Sequence, residues 1–220
     1  MTSYSIEKLI KMRWKNEISI NTIINYYHKY YLFFKWWGNV LMKNNKLKTV
    51  IIDSSGNDEY YTPKYAVYPI LEFLKPFKNI WCPFDLPESN FVKVLKENGF
   101  NVINTHISLG QDFFDLNIKC DAIVSNPPYS KKYELFERLF YIGKPFAMLV
   151  NETALFGNRK RFDLFKSNKF EQLQLLPRVE YFMDYAGQIS KGSPPFRSIY
   201  VTSNLLENQI EFRYMDKRLR

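Results

Sequence analysis

The chain has 220 residues, 46% hydrophobic and 18% aromatic, enough for one α/β domain with a real core plus an appendage, but cramped for two full domains. Its only cysteines, Cys82 and Cys120, are in no metal-binding spacing, which removes a disulfide framework and a zinc site and leaves a reducing cytoplasm as the simplest home. No uncharged run reaches the roughly 18 residues of a membrane span, and the opening MTSYSIEKLIKMRWK lacks the apolar centre of a signal peptide, so the sequence reads as soluble and cytoplasmic, with no membrane partner.

The formal net charge of +9 is concentrated at the start, where residues 1–50 carry nine Lys or Arg against Glu7 and Glu17. Contact with a polyanion explains this surplus, because each neutralised phosphate releases counterions. A Lys-, Asn- and Ile-rich composition that merely solvates a surface explains it equally. Apolar residues at helical spacing predict helices over 4–15 and 19–42. The second is dense in aromatics, among them Tyr26, Tyr27, Tyr30, Tyr31, Phe33, Phe34, Trp36 and Trp37. Such a helix needs a cover, either the main domain or another subunit, or it stacks on bases. These helices are where an oligomer would form. A polar connector is expected around 42–59.

From Tyr60 the pattern alternates. A helix is expected at about 64–75, a strand at 79–84, a helix at 88–98 stopped by Gly99, a strand at 101–107 and a strand at 121–125. A helix at about 131–142 and a strand at 145–150 follow, then strands near 172–176 and 197–205 that include an antiparallel pair at one edge. Alternation of this kind implies βαβ units and a mostly parallel sheet.

The strand DAIVS runs directly into Asn126-Pro127-Pro128-Tyr129. Two prolines fix φ and donate no N–H, so the chain leaves the strand rigid with its carbonyls free to accept. An aromatic amine is a weak nucleophile because its lone pair is delocalised into the ring. Two acceptors, the Asn126 side-chain oxygen and the Pro127 carbonyl, would take its two N–H groups and draw the nitrogen toward tetrahedral geometry. Tyr129 offers a flat face to a base swung out of its stack. Ligands of open α/β sheets sit at the carboxyl ends of the strands, where this tetrapeptide falls. The same tetrapeptide is also an ordinary turn after a strand.

DAIVSNPPYS resembles the catalytic motif of the S-adenosylmethionine-dependent amino-methyltransferases, which modify adenine N6 or cytosine N4. The resemblance implies that Asn126, Pro127, Pro128 and Tyr129 are catalytic. It also implies that Tyr61-Thr62-Pro63 holds the methionine end of the cofactor, and that Asp112 accepts from the cofactor's adenine amino group beside a covering Phe113. A plain helix start with an early proline and a surface Asp in a turn are the alternatives for these two segments. Two features depart from the family. The first strand is followed by Trp81-Cys82-Pro83-Phe84-Asp85 with no glycine-rich turn, and the acid expected after the second strand is replaced by Asn104-Thr105-His106. The stretch from YYTPKY through WCPFD to SNPPYSKK resembles small phage- and prophage-type adenine methylases, which implies that Pro83, Phe84, Asp85 and His106 make altered cofactor contacts. A lone strand-end histidine is more often structural.

In the tail, Ser193-Pro194-Pro195-Phe196 either presents Phe196 to a target base or forms a tight turn before an edge strand. Arg178, Lys191 and Arg197, together with Lys131 and Lys132 after the motif, are expected to meet nucleic acid, through phosphates that position a duplex without reading it. The sequence thus predicts a Rossmann-like seven-stranded mixed sheet of methyltransferase type over 58–220, with a basic, aromatic-rich helical extension over 1–50. It predicts methyl transfer from S-adenosylmethionine to adenine N6 in DNA, without a metal. RNA adenine or a protein glutamine amide are alternative substrates, and a catalytically silent relative that binds DNA or protein is the alternative class.

Overall fold

The structure, a computed structural model, describes residues 61–128, 131–183, 190–192 and 196–219. The predicted helical extension over 1–50 lies outside these residues. Helix α1 (Lys64–Leu74) leads into β1 (Asn79–Cys82), α2 (Asn90–Glu97) and β2 (Asn101–Asn104). After a 3₁₀ turn at Ile107–Leu109 come β3 (Ala122–Ser125), α3 (Lys132–Ile142), β4 (Phe146–Asn151) and α4 (Arg159–Lys166). The remainder is β5 (Glu171–Leu176), β6 (Tyr181–Phe182), β7 (Ser190–Gly192), β8 (Ser198–Ser203) and β9 (Ile210–Tyr214).

Seven strands form one mixed sheet in the order β2-β1-β3-β4-β8-β5-β9, and β6 pairs with β7 in a separate hairpin. The four strands from β2 to β4 run parallel, β8 runs antiparallel to both β4 and β5, and β9 runs parallel to β5. This is the Rossmann-like seven-stranded mixed sheet expected from the sequence. The reversed strand, however, lies inside the sheet rather than at its edge, and β9, which the sequence reading did not separate from the tail, forms that edge.

Alternate residues of the buried strands face opposite sides, so the sheet packs two cores. One joins Ile70 and Leu74 of α1 and Leu95 of α2 to Ile80, Val124 and Leu149; the other joins Leu135, Phe136 and Leu139 of α3 and Phe165 of α4 to Trp81, Ile123 and Met148. Ser89 caps α2 by accepting the Phe91 N–H at 3.1 Å, and Gly99, at φ 87°, ends it in the left-handed region that glycine enters without strain. The predicted strand at 79–84 ends at Cys82, where Pro83 has no N–H to continue the ladder. The predicted strand at 101–107 ends at Asn104 because His106 turns to cap the 3₁₀ turn, its Nδ1 accepting the Ser108 N–H at 3.2 Å.

Candidate active site at the β1 and β3 tips

From β1 the chain crosses to β2 on one side, and β3 then pairs with β1 on the other, with Trp81 opposite Ile123. The strand order reverses there, so a crevice opens between the carboxyl ends of β1 and β3, the position that ligands take in open α/β sheets. The loop 83–89 lines one side of it and Asn126-Pro127-Pro128 the other.

Asp85 ties the two sides together. Its buried carboxylate accepts from the hydroxyl of Ser125, the last residue of β3, and from that of Ser89, the cap of α2. The Asp85 N–H donates to the Thr105 carbonyl at 3.2 Å, and Asn104 Nδ2 donates to the Asp85 carbonyl at 3.3 Å. Burial without a positive partner raises the Asp85 carboxyl to about 6, the two serine hydroxyls pulling it partly back. The side chain expected to reach for cofactor is buried, and it fixes the glycine-free loop against β3.

The same network reaches the Tyr61-Thr62-Pro63 segment. Asn90, next to Ser89, donates from Nδ2 to the Thr62 carbonyl at 2.8 Å, so α1 and α2 start side by side. Pro63 opens α1 as expected, Thr62 is buried, and Tyr61 exchanges both backbone hydrogen bonds with Phe182, at 3.2 and 3.0 Å. Pro83 is buried as well.

Trp81 Nε1 donates to Thr105 Oγ1 at 2.9 Å, and Phe113 packs on Trp81 with ring centroids 5.4 Å apart. Phe113 is a core residue, fully covered. Its neighbour Phe114 is half-buried, and with Phe84, Pro127, Pro128, Lys131 and Leu135 it walls a cleft of about 30 Å³. Asp112 is half-buried and its Oδ1 accepts the Phe114 N–H at 3.0 Å. Arg138 of α3 was not singled out in the sequence. It donates from Nε to the Phe113 carbonyl at 3.0 Å and from Nη2 to the Leu116 carbonyl at 2.6 Å, so it clamps the 113–116 turn, and its guanidinium lies 5.4 Å from the Phe113 ring centre.

Asn126 is half-buried, with its amide oxygen covered; Pro127 is buried and Pro128 exposed. Tyr129 lies outside the described residues. Lys131 is exposed, caps α3 in the left-handed region at φ 58°, and holds its ammonium 5.6 Å from the Phe114 ring centre. Lys132 opens α3, half-buried. Of the tail residues, Arg178 and Arg197 are exposed, Lys191 is carried by β7, and Phe196 packs against the α1 side of the core rather than standing out toward a base. His106 serves the 3₁₀ turn described above, the structural role that a lone strand-end histidine usually has.

No protein-family profile matches the chain, and no curated protein matches it. Solved structures do. A modification subunit attributed to a type I restriction enzyme of Vibrio vulnificus aligns over 82% of this chain and 50% of its own, at 12% identity and a TM-score of 0.47. A class I S-adenosylmethionine-dependent methyltransferase assigned in Listeria monocytogenes aligns over 80% of this chain and 74% of its own, at 13% identity and a TM-score of 0.43. The M protein of the type I restriction enzyme EcoKI aligns over 75% of this chain and 51% of its own, at 14% identity and a TM-score of 0.40. The chain thus spans about half the length of the two restriction-enzyme subunits. Among the described residues no helix is long and apolar enough to cross a membrane.

Proposed function

We propose that the protein transfers the methyl group of S-adenosylmethionine to an exocyclic amino group of a nucleic-acid base, adenine N6 in DNA. The observation that carries this reading is the Asn126-Pro127-Pro128 bend at the carboxyl end of β3, beside the strand-order reversal and anchored through Ser125 to Asp85.

The residues present suit the cofactor's adenosine end. Phe84, Phe114, Pro127 and Pro128 give the cleft flat apolar walls that accept a planar ring. Asp112 sits at Phe114 with acceptor capacity to spare, since a carboxylate has about four lone-pair sites and Oδ1 has spent one. A cleft of about 30 Å³ holds little more than a water, so a purine enters only as the exposed Lys131 side chain leaves the Phe114 face. Thr62 and Pro63, fixed through Asn90, remain the candidates for the methionine end.

When bound, S-adenosylmethionine supplies an electrophilic methyl on a sulfonium. Asn126 Oδ1 and the Pro127 carbonyl each accept one N–H of the substrate amine and hold its lone pair toward that methyl. The Asn126 amide oxygen is covered in the structure, so it accepts only once the site opens around it. The amine nitrogen gains the methyl, the C–S bond breaks, and the surplus proton leaves to solvent. Arg178, Arg197 and Lys131, all exposed, are proposed phosphate contacts, and the basic segment 1–50 a further one.

A binding protein without catalysis is the second reading, favoured by the narrow cleft and the covered Asn126 oxygen. Thermal unfolding of the full chain separates the two. The enzyme is stabilised by saturating S-adenosylmethionine and by S-adenosylhomocysteine, by about 2.7 kcal/mol at a hundred times the dissociation constant, and not by ATP. An unchanged transition with both ligands overturns the enzymatic reading.

A further inference from the structure

Strand β9 closes the sheet with one side used and one side open. The Gln209 carbonyl accepts from the Gln172 N–H at 2.8 Å, and the Met215 N–H donates to the Leu176 carbonyl at 2.7 Å. Backbone groups of alternate residues in a strand point to opposite sides. Residues 209, 211, 213 and 215 therefore serve β5, while Ile210, Phe212 and Tyr214 direct their N–H and C=O groups outward. The side chains of these three share one face and are 51%, 72% and 85% exposed, and Leu176, paired with Tyr214, extends that face at 49%. On the opposite face Glu211 and Arg213 lie 3.1 Å apart, and Arg213 also meets Glu72 of α1. An apolar strand edge of this kind is a template for another strand.

We propose that this edge pairs with the same edge of a second copy of the chain, antiparallel, about a two-fold axis at Phe212. The sequence of β9 is complementary to itself in that register. Phe212 faces the partner's Phe212, and Ile210 faces the partner's Tyr214, so the outward backbone groups of 210, 212 and 214 meet the same three groups reversed. Glu211 then faces the partner's Arg213, and Arg213 the partner's Glu211. These are non-hydrogen-bonded pairs, in which side chains approach most closely, and both place opposite charges together. A slip of two residues either way sets Phe212 against the partner's Ile210 or Tyr214 and puts like charges on the axis, Glu211 on Glu211 or Arg213 on Arg213, so the charge match is lost. The closed pair sets the two exposed stripes side by side and joins two sheets into one, an isologous contact that uses up both β9 edges.

Sedimentation velocity of the full chain over a range of concentrations tests this. A reversible dimer of twice the chain mass is expected. Phe212→Glu puts two carboxylates on the axis and raises the dissociation constant by at least about a hundredfold, with the thermal transition of the monomer unchanged because Phe212 is exposed. Phe212→Cys supplies an independent reading. Its Cα atoms would lie about 5.5 Å apart across the axis, within disulfide reach, so mild oxidation gives a covalent dimer, while the native Cys82 and Cys120 are buried. Ile210→Cys, four residues from its symmetry mate, gives none. A monomer at every concentration, a dimer indifferent to Phe212→Glu, or equal cross-linking through Ile210→Cys overturns the proposal. None of these outcomes depends on whether the chain binds S-adenosylmethionine.

Discussion

The carboxylate of Asp85 accepts from the hydroxyl of Ser125, so the loop after β1 and the residue that precedes Asn126 are held as one piece. A glycine-rich turn would let a ligand approach the backbone; here a buried acid with two serines gives the loop a fixed shape without glycine. The position of Asn126 relative to the crevice then depends on a residue that need never touch a ligand.

Asp85→Asn should reveal this acid in the pH dependence of stability. Its folded value, about 6, lies above its ordinary 3.8, so protonation favours the folded state. The stability that Asp85 contributes is fully present below about pH 3.8 and is lost as pH rises through about 6, a change of roughly 3 kcal/mol. Denaturant unfolding at pH 4 to 7 should show wild type losing ground to Asp85→Asn across this window. Parallel curves for the two proteins would mean that Asp85 does not titrate there.

Phe113 and Phe114 should separate cleanly. Phe113→Ala removes a core ring and costs about 3–5 kcal/mol in unfolding free energy. Phe114→Ala costs far less stability but weakens S-adenosylmethionine binding by roughly 5- to 150-fold, the range set by about 1–3 kcal/mol for ring stacking. Calorimetric titration beside chemical denaturation checks both, and equal effects of the two variants on affinity would remove Phe114 from the cleft.

Arg138→Ala releases the Phe113 and Leu116 carbonyls, leaving two acceptors without their charged donor. The 113–116 turn should loosen, with about 1–3 kcal/mol lost in stability and a weaker hold on cofactor. Arg138→Lys supplies one charge without the fork and should restore only part of either quantity. Amide hydrogen exchange at Phe114 and Asp115 should quicken in Arg138→Ala; unchanged protection there would contradict the clamp.

Much of the fold was legible because its signals are local. The strands NIWC and AIVS are short apolar runs, Gly99 marks a helix end, and Asn126-Pro127-Pro128 follows its strand directly. Helix α4 was missed because RKRFDLFK is strongly polar, with only Phe165 buried. The edge strand β9 was missed because IEFRY turns its apolar residues outward, against the usual inference from alternation. Adjacent aromatics at 113 and 114 carry no mark of which faces the core, since that depends on Trp81, far away in sequence. Asp85 was taken for a ligand contact because its partner Ser125 is 40 residues on, beyond the reach of any spacing argument.

In the proposed reaction Asn126 and the Pro127 carbonyl hold a base amine for methyl transfer. Asn126→Ala should leave S-adenosylmethionine affinity within a few-fold of wild type and lower the transfer rate by at least about a hundredfold, the scale seen when one positioned hydrogen-bonding group is removed from a reacting centre. The most direct measurement is incubation of wild type and Asn126→Ala with methyl-labelled S-adenosylmethionine and duplex DNA, followed by digestion to nucleosides. Labelled N6-methyl-2′-deoxyadenosine is expected from wild type and almost none from the variant. Label absent from DNA while present in RNA or protein, or equal labelling by the two proteins, would contradict the proposed reaction.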